Sequence, residues 1–64
     1  MTADRLLRVH EVEARTSLHR ATLYKRMARG QFPQPVRVGI RRIAWRESDI
    51  ARWQDSLAVG VKNA

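Results

Sequence analysis

The chain has 64 residues, no cysteine, and 13 Lys/Arg against six Asp/Glu, a formal net charge of +7. That length gives one domain whose small core supplies roughly 3–5 kcal/mol of net stability, with no room for a catalytic cleft walled by a second layer. Without cysteine there is no disulfide or thiolate metal site, and His10 and His19 alone do not make a zinc site.

No apolar run approaches the roughly 18 residues of a membrane helix, and no signal-peptide pattern opens the chain, so the expected location is the cytoplasm. No nucleophile stands with a base, and there is no carboxylate pair or phosphate-cradling glycine loop. The expectation is therefore a binding protein without cofactor or metal, not an enzyme. The charge is concentrated: Ala14 to Arg46 holds nine Lys/Arg and no acid, and all six acids lie outside it. A basic block between acidic helix starts suits a polyanionic partner.

In chain order, residues 1–4 are expected to form a flexible lead, residues 5–58 the folded domain and residues 59–64 a flexible tail. Arg5–Val9 reads as a short extended strand or lead-in whose Leu6, Leu7 and Val9 cover the core. His10–Arg15 reads as a first helix, with Val9 and Val12 inward and Glu11 and Glu13 near its positive end. Thr16-Ser17-Leu18 is a turn, since hydroxyl side chains compete for backbone hydrogen bonds. Leu18 points inward, and His19 takes the N-cap of the next helix, where Ser, Thr, Asp or Asn are preferred. His19 is either a phosphate contact or a merely exposed ring.

Arg20–Arg29 is the second helix. Leu23 and Met27 form its buried stripe, and Gly30 ends it in the C′ position. Its outer face starts with Arg20, Ala21, Thr22, Tyr24 and Lys25. Arginine can read guanine bidentately, Ala and the Thr methyl can touch thymine, and Tyr or Lys can hold phosphate. A helix-turn-helix presents these N-terminal residues to base edges.

Gln31–Pro35 is a stiff connector with Phe32 in the core. Val36–Val38 and Arg41–Trp45 alternate around a glycine-containing turn, which predicts a β-hairpin wing tipped by Gly39-Ile40-Arg41. Arg41 and Arg42 suit a narrow minor groove or the phosphate backbone, whereas Arg37 serves equally as a solvating residue. Glu47 to about Ala58 is the last helix: Ile50, Trp53 and Leu57 share an apolar face, and Trp53 is expected against Trp45 and the first helix.

These residues resemble the AlpA family of prophage regulators. The resemblance rests on Leu6-Leu7-Arg8-Val9, Glu11-Val12, Thr22-Leu23-Tyr24, Gly30-Gln31-Phe32-Pro33, Pro35-Val36, Trp45-Arg46-Glu47-Ser48-Asp49-Ile50 and Trp53. It implies a mainly α, winged helix-turn-helix fold of the MerR/excisionase-like kind, with three helices and short antiparallel strands. It also implies binding to double-stranded DNA as a transcriptional regulator, as a recombination directionality factor, or as both. A phage integrase and further copies of the chain on adjacent sites are then candidate partners, and the nucleoid the place of action. His19 stands where the family commonly has Ser. By position the family's reading helix falls on Arg20, Thr22, Tyr24 and Lys25, and its wing on Arg41 and Arg42. The alternatives from other classes are an RNA-binding module and a basic protein–protein adaptor.

Overall fold

The computed structural model describes residues 4–57. Helix α1 spans Val9–Thr16, α2 Arg20–Ala28 and α3 Glu47–Asp55, and strands β1 (Leu6–Leu7), β2 (Val36–Arg37) and β3 (Ile43–Arg46) form one antiparallel sheet in the order β1-β3-β2. This is the expected arrangement, three helices with a β-hairpin wing. The expected residues 1–3 of the lead, the last-helix end at Ala58 and the tail at 59–64 lie outside the described residues.

Each helix boundary has a local cause. Helix α1 starts one residue earlier than expected because the Glu11 carboxylate accepts the Arg8 backbone N–H at 2.8 Å while the Arg8 carbonyl accepts from Glu11 and Val12. It runs on through Thr16, whose hydroxyl donates to the Val12 carbonyl at 2.8 Å. Ser17 then takes a left-handed conformation, φ 62°, and turns the chain toward α2. Helix α2 closes with a Schellman motif: Gly30, φ 69°, donates to Met27 and Gln31 donates to Arg26.

Helix α3 stops at Asp55, short of the expected end, because Ser56 turns back on it. The Ser56 hydroxyl donates to the Trp53 carbonyl at 2.6 Å, and Leu57 N–H closes a tight turn on Gln54. Leu57 therefore leaves the expected apolar face and is half exposed.

The core is Leu7, Val12, Leu23, Phe32, Trp45 and Ile50, with Val9, Leu18, Met27, Ile43 and Trp53 packed around it. Leu6 faces solvent because neighbouring strand residues point to opposite sides. Trp45 is fully buried and donates its indole N–H to the Pro33 carbonyl at 2.9 Å. Trp53 does not take the expected place on Trp45. It meets Phe32 edge-on with ring centroids 4.9 Å apart, and Phe32 in turn meets Trp45 at 6.4 Å. The connector's aromatic residue thus separates the two tryptophans.

Strand β1 pairs Leu6 with Arg46 and Leu7 with Trp45, so β3 lies in the middle of the sheet. The pairing continues through the Glu47 N–H to the Arg5 carbonyl. Asp4, expected in the flexible lead, is instead fixed: it accepts the Ser48 backbone N–H at 3.1 Å and the Ser48 hydroxyl at 2.5 Å, capping α3 from a distant part of the chain.

Candidate nucleic-acid interface

Helix α2 is seated by its apolar side, where Leu23 is fully buried and Met27 packs on the core. The opposite side presents Arg20, Ala21, Tyr24 and Lys25, all exposed. Spacings of three and four residues make them neighbours on one helical face. Thr22 lies at the margin, half-buried. His19 is the N-cap as expected: its Nδ1 accepts the Ala21 N–H at 3.1 Å. An accepting Nδ1 places the proton of that tautomer on Nε2.

Helix α2 has no acid in its own first turn. Glu13 of α1 fills that role from across the turn, accepting the Arg20 backbone N–H at 2.7 Å. The same carboxylate accepts the Arg20 guanidinium at two longer distances, both 3.4 Å. Donation by the Arg20 side chain and then by its backbone N–H holds the Glu13 carboxyl below the usual carboxylate range. Arg20 is thus exposed but already partnered. Glu13 was missed in the sequence because it lies seven positions from Arg20, beyond helical spacing. The only readable sign was opposite charge on either side of a turn.

Arg15 is also committed to the fold: it pairs with Glu47, and its carbonyl accepts from Gln54 of α3 at 3.1 Å. Lys25, Arg26, Arg29, Arg37, Arg41 and Arg42 have no acidic partner among the described residues. Folding therefore pairs two members of the basic block, Arg15 and Arg20, and leaves Lys25 and Arg26 of α2 and the arginines of the wing without an acidic partner among the described residues.

The wing is joined to the end of α2 by fixed contacts. Gln34 donates to the Met27 carbonyl at 3.1 Å, and Trp45 holds Pro33. The tip is closed by Val38 N–H to the Arg42 carbonyl at 2.9 Å and Arg42 N–H to the Gly39 carbonyl at 3.4 Å. Arg41 and Arg42 are exposed on it. Arg37 lies in β2 and turns its guanidinium back to the Ile40 carbonyl at 3.4 Å, so it braces the tip. The sequence also gave no role to Ile40, which is 89% exposed. Its signal was an apolar side chain in a turn, where small or polar residues are usual.

No group of three metal-ligating side chains occurs among the described residues. The open groove between the connector and α3 is walled by Phe32, Pro33 and Trp53, and its Asp49 and Arg52 pair with each other at 3.6 Å. No helix of the described residues is long and apolar enough to cross a membrane.

The family described as prophage CP4-57 regulatory protein (AlpA) matches residues 5–58. The chain belongs to the AlpA family of prophage regulatory proteins. This AlpA-family chain is also 36% identical over 62 residues to "Uncharacterized protein ORF88" of Enterobacteria phage P4, across 97% of its own length and 70% of the phage protein's. No solved structure matches it. The matched region contains both helix α2 and the wing, so the proposed contact surface lies wholly within the family domain.

Proposed function

We propose that the chain is a sequence-specific binder of double-stranded DNA. Helix α2 enters the major groove, and the wing follows the neighbouring minor groove or backbone. The observation that carries this reading is the set of exposed cations, Lys25 on α2 and Arg37, Arg41 and Arg42 on the wing of a prophage-regulatory family domain, that have no acidic partner among the described residues. In this reading Arg20, Ala21, Thr22, Tyr24 and Lys25 face base edges and flanking phosphates, with His19 donating through Nε2 to a phosphate. Arg41 and Arg42 hold the wing on the duplex, and Arg37 supports them.

A single module of this size buries about 600–1,000 Å² on DNA and binds modestly. Specificity then comes from several copies on adjacent sites. The DNA-binding unit is the matched domain, residues 5–58, together with Asp4, which caps α3. Acting at the nucleoid, it regulates prophage or genomic-island genes, or loads an attachment site so that an integrase excises the element. Both roles use one DNA-binding surface.

The test is selection from random duplex DNA at two salt concentrations. A recovered motif, repeated in one orientation at helical-turn spacing, is the expected result. Location of that motif at an attachment site assigns the excision role, and location at a promoter assigns transcriptional control. A pool without a motif, whose binding disappears with salt, would reduce the surface to non-specific attraction and overturn the proposal.

A further inference from the structure

The wing tip combines three features, of which the proposed reading uses only the cations. First, it presents apolar side chains to solvent: Ile40 is 89% exposed and Val38 on the same loop 46%. Second, the loop under Ile40 is braced by the Val38–Arg42 and Gly39–Arg42 backbone bonds and by Arg37 donating to the Ile40 carbonyl. A β-branched side chain is itself stiff at χ1. Third, Arg37, Arg41 and Arg42 surround this point, and none has an acidic partner among the described residues. The tip is thus a stiff apolar point in a cationic collar.

That combination matches the DNA minor groove, which has apolar sugar walls and base faces within and phosphates along its rims. Proteins that bend DNA insert apolar side chains, isoleucine among them, between base steps of this groove, partly unstacking them. A protein partner's central contacts favour large aromatic anchors, and a membrane-seeking surface favours Trp, Phe and Leu. A lone isoleucine ringed by guanidinium groups fits neither as well. We propose that the wing tip is a bending wedge: Ile40 enters a base step while Arg41 and Arg42 clamp the flanking phosphates. Pyrimidine–purine steps unstack most easily, so the wing selects such a step without reading any base edge. This inference rests on the DNA-binding reading above.

The experiment uses the whole chain and its selected duplex, with 2-aminopurine placed at successive steps under the wing and a fluorophore pair on the duplex ends. Wild type is expected to brighten one 2-aminopurine step and to shorten the end-to-end distance. Ile40→Ser is expected to fold as wild type, to lose both signals, and to bind the site with affinity lowered by no more than about tenfold. Replacing the step by a stiff A-tract step should weaken wild type but not Ile40→Ser. Wild-type binding to straight DNA with silent 2-aminopurine, or equal bending by Ile40→Ser, would overturn the wedge and leave the DNA-binding reading standing. Failure of wild type to hold any duplex would overturn both. Ile40-dependent retention on phosphatidylserine vesicles, with DNA left unbent, would assign the tip to a membrane surface and overturn the wedge.

Discussion

Arg20, proposed above to read a base, is also held by the fold. Its backbone N–H is fixed on Glu13 at 2.7 Å, while its guanidinium lies at a looser 3.4 Å from the same carboxylate. The short contact serves the helix start, and the long ones can be given up to a guanine. Arg20→Ala is expected to relax base preference at one position by roughly 1–3 kcal/mol. Glu13→Gln keeps an oxygen for the backbone N–H and removes the negative charge. It should raise affinity for scrambled duplex more than for the selected one, narrowing their ratio in paired binding titrations. An unchanged ratio would mean that Glu13 serves only the fold. The tryptophans divide in a similar way. Trp45 is fully buried and hydrogen-bonded to Pro33, whereas Trp53 is partly exposed on Phe32. Trp45→Ala should cost about 3–5 kcal/mol and unfold the domain, and Trp53→Ala should cost less and leave a cooperative urea transition. The amino-acid types alone gave Trp53 equal weight, because periodicity identifies a face without showing how deeply it is buried.

At the scale of elements, each helix begins on a carboxylate held by hydrogen bonds below the usual range. The Ser48 hydroxyl lowers Asp4 at α3, the Arg8 N–H lowers Glu11 at α1, and Arg20 lowers Glu13 at α2. A carboxylate whose folded pKa is lowered stabilises the fold above its unfolded pKa, and that contribution is lost as pH falls through the folded value. Thermal melts should therefore show stability falling once pH drops below about 4. Asp4→Asn should melt lower than wild type near neutrality, and the gap should close as the solution is acidified through the range where wild-type Asp4 protonates. A gap constant with pH would mean that the charge on Asp4 adds nothing to the cap. The helices were legible because Leu23 with Met27 and Ile50 with Trp53 repeat at helical spacing, and Gly30 marks an end. The wing was legible from alternation around Gly39. Strand β1 was not legible as part of the sheet: two residues carry no period, and their partners lie about 40 positions away. The stop at Ser56 was hidden because the hydroxyl bond that ends α3 depends on local geometry. On the candidate surface, the outward face of α2 followed from its apolar stripe, but the Glu13–Arg20 contact needed the angle between two helices.

For the molecule as a whole, charge is sorted by use. Arg5, Arg15, Arg20 and Arg52 pair with acids, and the cations of the wing have no acidic partner among the described residues. Binding should weaken steeply with salt, and Arg41→Ala should flatten the slope of log affinity against log salt by about 1 if Arg41 neutralises one phosphate. An unchanged slope would take Arg41 off the backbone. The sheet order β1-β3-β2 has a different kind of consequence. The central strand is the last of the three to leave the ribosome, and until Ile43–Arg46 is made neither outer strand has a partner. Trp45, the fully buried core tryptophan, arrives with it. A product ending at Arg42 carries α2 and the basic wing tip but lacks the strand that seats them. It should show no cooperative melt and no selective duplex binding. Termination before β3 is thus expected to leave a peptide without selective binding, so the proposed binding surface is assembled only once the central strand has been made.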